Sequence, residues 1–242
     1  MTKNIIIMGA NGGTGENLAL RFGEAGYNVY ATMRDPAKAS AELKGHAKEI
    51  LLADVRDATS LQEAFSQFTE ENPVSGFAYC IGSIDLRPFK SVKDEDLLSS
   101  FEINLLGATR ALRILEKPLK AGKGSVVLFS SIAAQQGFSN HTAIGSAKGA
   151  VEGFAKSLAA EWAGQVRVNV IAPSLTDTEI AKPLTSSAPM REAIEKMHPI
   201  PRIGTPGDLA ATAQFLLQPD SAWITEQIFH VDGGRSTLRP KG

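Results

Sequence analysis

A single cysteine, Cys80, in a chain of 242 residues leaves no partner for an internal disulfide and no thiolate set for a zinc site. Charge of one sign is also missing. Lys and Arg total 25 against 26 Asp and Glu, a formal net charge of -1, so nothing suggests a nucleic-acid or anionic-membrane partner. No apolar run approaches the roughly 18 residues that a membrane-spanning helix needs. The first such run, from Ile5, meets glycine too soon for a signal peptide. Charge blocks, repeats and low-complexity linkers are absent too, so residues 1–242 read as one domain. With 43% hydrophobic residues that domain has a sizeable core. The expectation is a cytoplasmic protein that handles a small molecule, without a metal site.

Glycine, by contrast, is concentrated at one place. Ile5-Ile6-Ile7-Met8 reads as a buried parallel strand, and it stops at Gly9-Ala10-Asn11-Gly12-Gly13-Thr14-Gly15. Beyond it, Leu18, Phe22 and Ala25 fall at helical spacing. The unit is strand, tight turn, helix. Gly9 lets the strand turn sharply, Gly13 lets backbone N–H groups approach a pyrophosphate, and Gly15 lets the helix pack against the strand. The helix N-terminus adds free N–H groups and a partial positive charge. An ordinary glycine-rich loop is the alternative; the flanking strand and helix favour a dinucleotide site.

Strand and helix patterns then alternate to the end. Strands are expected at 28–33, 49–53, 76–81, 124–130, 166–172 and 227–231. Helices are expected at 36–46, 58–69, 141–163 and 208–217, with a long one between that Ser91 caps and Asp94 supports. Phe101, Leu105, Ala108, Leu112 and Leu115 give that long helix one sheet-facing stripe. This is an α/β chain: a single-domain Rossmann-like, doubly wound parallel sheet of about seven strands with helices on both faces. The Pro-, Ser- and Thr-rich segment 173–206 breaks the rhythm and is expected to cover a substrate site.

The glycine spacing, G-x-x-x-G-x-G, resembles that of the short-chain dehydrogenase/reductase family, and the resemblance continues along essentially the whole chain. It runs through Ile103-Asn104-Leu105-Leu106-Gly107, Ser130-Ser131, Ala147-Lys148-Gly149, Val168–Ser174 and Val231-Asp232-Gly233-Gly234. It implies a nicotinamide cofactor held by Gly9, Asn11, Gly13, Thr14, Gly15, Asp54, Val55, Ile81, Gly82, Pro173, Thr176 and Thr178. It also implies a homo-oligomer, a tetramer or dimer, assembled around Ala147–Ala160 and Glu226–Gly234. Several positions depart from the family pattern. Met8 replaces a threonine, Tyr79-Cys80-Ile81 replaces Asn-Asn-Ala, and Ser174 replaces a glycine.

Cofactor choice turns on the end of the second strand. An acid there bonds the ribose hydroxyls of NAD, whereas an arginine pairs with the 2′-phosphate of NADP. The family places its acid near Met33 and its phosphate-binding arginine one residue later, at Arg34 here, so NADP is favoured over NAD. The alternative is a surface arginine paired with Asp35. Family members transfer hydride between nicotinamide and a carbonyl or alcohol, using Asn, Ser, Tyr and Lys. Asn104, Ser131 and Lys148 match three of these, and Lys148 also bonds the nicotinamide ribose in the family. Four residues before Lys148, where the tyrosine belongs, stands Ile144. An alkyl group can neither give a proton nor bond an oxyanion. His141, seven residues before Lys148, is the candidate replacement acid. Its alternative role is a surface histidine beside a helix cap, with Asn140 or Thr142 bonding the backbone. His46, His198 and His230 read as structural or exposed. Two functions stay open: an NADP-dependent oxidoreductase with an atypical proton donor, or an NADP(H)-binding sensor or partner subunit without turnover.

Overall fold

The computed structural model describes residues 3–240 and gathers every expected strand into one sheet. Strands β1 (Asn4–Met8), β2 (Asn28–Met33), β3 (Glu49–Leu52), β4 (Val74–Tyr79), β5 (Ser125–Phe129), β6 (Arg167–Pro173) and β7 (Ile228–Val231) lie in the order β3-β2-β1-β4-β5-β6-β7. All neighbours are parallel. The order reverses between β1 and β4, and open α/β sheets bind ligands beyond the carboxyl ends of their strands at such a reversal.

Helices α1 (Gly13–Glu24), α2 (Ala41–His46), α3 (Ala58–Phe65), α4 (Asp94–Phe101), α5 (Gly107–Ala121), α6 (Thr142–Glu161), α7 (Lys182–Thr185), α8 (Ala188–Lys196) and α9 (Pro206–Leu217) make the connections. The two-residue period of β1 decides what packs where. Ile6 and Met8 join Leu61, Leu112 and Val151 in one core, while Ile5 and Ile7 join Leu18, Phe22 and Leu209 in the other. Burial of each such side chain contributes about 1.5–3 kcal/mol. A strand buried on both faces has no polar side to show, which is why its sequence is nearly all aliphatic.

The structure corrects three expectations. The stretch 36–46 splits into a 3-10 turn capped by Asp35 and helix α2, whose start is capped by the Ser40 hydroxyl accepting from the Leu43 N–H at 3.0 Å. Ser91 caps nothing. It ends a 3-10 turn, and α4 begins where Asp96 accepts from the Lys93 N–H at 2.9 Å. The long helix is not continuous either. A π-helical turn, Glu102–Leu106, separates α4 from α5 and sends the Gly107 N–H back to the carbonyl of Glu102. The wider turn rotates the stripe, so Ala108, Leu112 and Leu115 are fully buried while Phe101 and Leu105 are only partly so. The segment 173–206 carries structure of its own, a 3-10 turn followed by α7 and α8.

Candidate active site

The turn after β1 is made possible by glycine in two places. Gly9 has φ +80°, and a methyl there would sit 2.7 Å from Ile81 Cγ1. At Gly15 a methyl would lie 2.3 Å from the Gly9 carbonyl oxygen, so helix and strand cannot approach this closely with any side chain. At Gly13 a methyl would press on Pro206 at the start of α9, 2.9 Å away. Gly12 caps α1 with no side-chain acceptor. The amides of Gly13, Thr14 and Gly15 therefore have no cap partner, and this arrangement fits a phosphate group.

Asn11 is exposed on this turn, and Arg34 is exposed at the end of β2. Arg34 is not paired with Asp35. That carboxylate accepts from the Ala37 N–H at 3.2 Å and pairs with Lys38 at 3.4 Å, so among the described residues Arg34 is left without an anion. Asp54 follows β3 with one carboxylate oxygen accepting from the Arg56 N–H at 3.0 Å, and Val55 beside it is buried.

Beyond the carboxyl ends of β4, β5 and β6 lies a cavity of about 400 Å³. Ser131, His141, Ile144 and Lys148 line it, and so do Thr14, Ile81, Gly82, Pro173, Thr176 and Thr178. The remaining sequence-selected residues, from Gly9 to Val55, lie outside its lining, toward the β1–β3 edge. Asn104 stands just behind the wall. A methyl on Gly82 would be 3.2 Å from Asn104 Oδ1 and 3.5 Å from Lys148 Nζ, so the bare Gly82 Cα is where the two side chains meet. Asn104 sits in the π-helical turn, a feature frequent at functional sites. Its amide donates to the Ser100 carbonyl at 2.9 Å and to Ser83 Oγ at 3.0 Å, which ties the Gly82-Ser83 loop down.

Lys148 is buried and donates to the Phe129 carbonyl at 2.7 Å; burial pushes its ammonium down to about 8, so it keeps its charge at neutral pH. Ser131 accepts from the Ala133 N–H at 3.2 Å, leaving its own O–H free to donate into the cavity. Ile144 is 5% exposed and gives the cavity an alkyl wall. No tyrosine lines the cavity. The Tyr79 hydroxyl donates to the Ile103 carbonyl at 2.6 Å in the π-helical turn, and burial raises its phenol far above the ordinary value. Tyr27 and Tyr30 pack edge-on against Phe22 and Phe68.

His141 occupies the cap position of α6, where its carbonyl accepts from the Gly145 N–H at 2.7 Å. Its Nδ1–H donates to the Ser139 carbonyl at 2.7 Å, rather than Asn140 or Thr142 supplying a side-chain cap. That leaves Nε2 without a partner among the described residues.

Two features escaped the sequence reading. Arg235 and Phe138 line the cavity, although neither belongs to a recognised motif. His198 is buried with Nδ1 2.8 Å from the Ile194 carbonyl and Nε2 2.8 Å from Ser174 Oγ. The only warning in the sequence was Ser174 itself, a side chain where the resembling family has none. Among the described residues no cluster of metal-ligating side chains occurs and no helix is long and apolar enough to cross a membrane.

Comparison with known proteins places this geometry. The profile of the family described as enoyl-(acyl carrier protein) reductase matches residues 9–236. The chain is 32% identical to the short-chain dehydrogenase/reductase SDRA of Arabidopsis thaliana, over 96% of this chain and 94% of that one. It is 30% identical to carbonyl reductase family member 4 of Xenopus tropicalis, over 97% and 98%. Among solved structures, that of ElxO with NADP bound superposes with a TM-score of 0.88 at 26% identity, over 98% of this chain and 100% of that one. On the strength of a match along nearly its whole length, the chain belongs to the short-chain dehydrogenase/reductase family.

Proposed function

We propose that this protein is an NADP-dependent oxidoreductase that interconverts a carbonyl and an alcohol, with His141 in the role usually filled by tyrosine. The observation that carries the reading is the convergence of Ser131, Lys148 and His141 on one cavity, beside the free amides of α1. The dinucleotide, when bound, supplies the hydride chemistry. The chain must then hold the substrate oxygen and give it a proton. Ser131 donates its O–H to that oxygen. Lys148 holds the nicotinamide ribose, and its buried charge favours negative charge developing on the oxygen. Asn104 keeps one lone pair of Oδ1 for an ordered water behind Lys148. His141, entering the step as the imidazolium with its Nδ1–H held by the Ser139 carbonyl, delivers the proton from Nε2, is left neutral and recovers a proton from solvent. Arg34, free of Asp35, takes the 2′-phosphate, in keeping with the NADP in the ElxO structure. The segment 173–206 covers the site.

The test is reduction of a carbonyl panel with NADPH by the wild type and by His141→Ala. Loss of the acid is expected to lower kcat by about 10²–10⁴ while NADPH affinity stays within twofold. Wild-type turnover that survives His141→Ala unchanged removes His141 from the mechanism. The alkyl wall at Ile144 favours one second reading, a cofactor-binding sensor or partner subunit without turnover. On that reading the wild type reduces nothing in the panel, and Ile144→Tyr creates weak activity. We also propose a homo-oligomer. Methyl groups added at Gly149 and Gly153 of α6 would enter open space, so this small-residue face is free for a second copy. Sedimentation is expected to show a dimer or tetramer at micromolar concentration; a monomer refutes it.

A further inference from the structure

One wall of the cavity carries a charge for which the proton transfer has no use. Arg235 is half-buried there, just past the Gly233-Gly234 turn that follows β7. Its guanidinium carbon lies 5.0 Å from the centre of the Phe138 ring, and one nitrogen donates to Ser174 Oγ at 3.3 Å. The other terminal nitrogen meets only Met197 Sδ at 3.6 Å, a weak acceptor. No carboxylate among the described residues pairs with it. Asp232 is the nearest candidate, but its oxygens accept from the N–H groups of Gly234 and Ser236 and from the Ser236 hydroxyl. Acidic residues are also missing from the cavity lining, which is largely aliphatic around Leu175, Leu184 and Ile194. A half-buried guanidinium stacked on an aromatic ring, with no ion pair among the described residues and with Asp232 acting on it only at longer range, is ready for an anion from outside.

Its direction is fixed by the pair found beside it. His198 donates from Nδ1 to the Ile194 carbonyl, so its Nε2 accepts the Ser174 hydroxyl proton. The Ser174 oxygen then has only lone pairs left for Arg235. A glycine at 174, the usual residue in the resembling family, would leave the guanidinium without this anchor. The carboxylate end and the reacting end of a ligand would also be close. Phe138 lies 5.0 Å from Arg235 and 5.4 Å from His141, which puts the two no more than about 10 Å apart.

We propose that Arg235, anchored by Ser174 and His198 and backed by Phe138, binds a carboxylate on the substrate, so that the substrates are short oxo acids or the corresponding hydroxy acids. The substrate class rests on the oxidoreductase reading above; the anion site does not. Arg235 is the binding residue, and Ser174 and His198 are positioning residues.

The experiment is calorimetric titration of protein saturated with NADP⁺, which cannot reduce the ligand, with acetoacetate and levulinate, each against its own methyl ester, alongside reduction assays with NADPH and the same four compounds. The wild type is expected to bind the acids about ten- to a hundredfold more tightly than the esters. Arg235→Gln should abolish that ratio with ester binding unchanged, and Ser174→Gly should reduce it severalfold with NADPH affinity unchanged. A merely structural role for Ser174 would move acid and ester together. Arg235→Lys, which keeps the charge but not the fork, should retain part of the ratio and serves if the glutamine variant does not fold. Equal binding of acid and ester by the wild type, or an equal loss of both in Arg235→Gln, overturns the proposal. Arg235-dependent acid binding without any reduction supports the anion site and counts against the oxidoreductase reading alone.

Discussion

The two sides of the sheet reversal are built in different ways. On the β1–β2 side the site is backbone: amides at the start of α1, a turn with Gly9 at positive φ, and a helix packed so close that Gly15 admits no Cβ. On the β5–α6 side the site is side chains, brought from β5, α6, the π-helical turn and the tail after β7. A backbone site has few alternatives, since steric contact dictates its residues. A side-chain site can exchange one group for another of similar volume and keep its shape. The chain shows that contrast directly, retaining the glycine turn while carrying Ile144 on the reaction side.

The largest effect is expected at Gly15. Gly15→Ala places a methyl 2.3 Å from the Gly9 carbonyl, so the turn itself must move. NADPH binding is expected to fall by more than about a hundredfold, with stability reduced by about 1–3 kcal/mol, as read by fluorescence titration and urea unfolding. His141→Ala on the other side should do the reverse, lowering kcat with cofactor binding intact. If both variants lose both properties, the two sides are not separable.

Arg34→Ala gives a smaller effect within the backbone side. It should remove a preference for NADPH over NADH of about ten- to a hundredfold, since a charge-assisted contact contributes roughly 1.5–3 kcal/mol. Equal affinities in the wild type would show that Arg34 does not read the 2′-phosphate.

The smallest effect is expected at Asp208, which caps α9 where Pro206 meets Gly13. Its carboxylate pairs with Arg202 at 2.7 and 2.9 Å and accepts from the Thr205 N–H at 2.7 Å. The Arg202 hydrogen bonds hold this carboxyl well below the usual carboxylate range. A lowered folded-state value stabilises the fold above the unfolded value of about 4 and loses that contribution as pH falls below it. Asp208→Asn is expected to cost about 1 kcal/mol at pH 7, a melting temperature lower by roughly 2–4 °C, with the gap narrowing below about pH 4. A gap that stays constant with pH would assign the effect to packing.

Much of the fold was legible because its signals are local. The aliphatic run of β1, its stop at Gly9 and the alternation that follows each depend on neighbours a few residues away. The breaks came where a distant contact overrode the local pattern. Phe101 to Leu115 reads as one helix, but the π-helical turn around Asn104 interrupts it, at the point where Tyr79 from β4 donates to the Ile103 carbonyl. Ser91 has the right chemistry for a cap, yet Asp96 holds the helix start, itself gripped by Arg87 at 2.9 Å.

The sheet, the glycine turn, the positions of Asn104, Ser131 and Lys148 along the chain, and the alkyl residue where a phenol is usual could all be read from the chain alone. These are matters of residue type and short spacing. Long-range packing settled that His141 lines the same cavity as Lys148, that Arg34 is free of Asp35, and that Arg235 stands over Phe138. Arg235 lies 61 residues from Ser174 along the chain, and their contact exists because β6 and β7 are paired. No local pattern encodes a hydrogen bond made across a sheet, whose partners are set by which strands become neighbours.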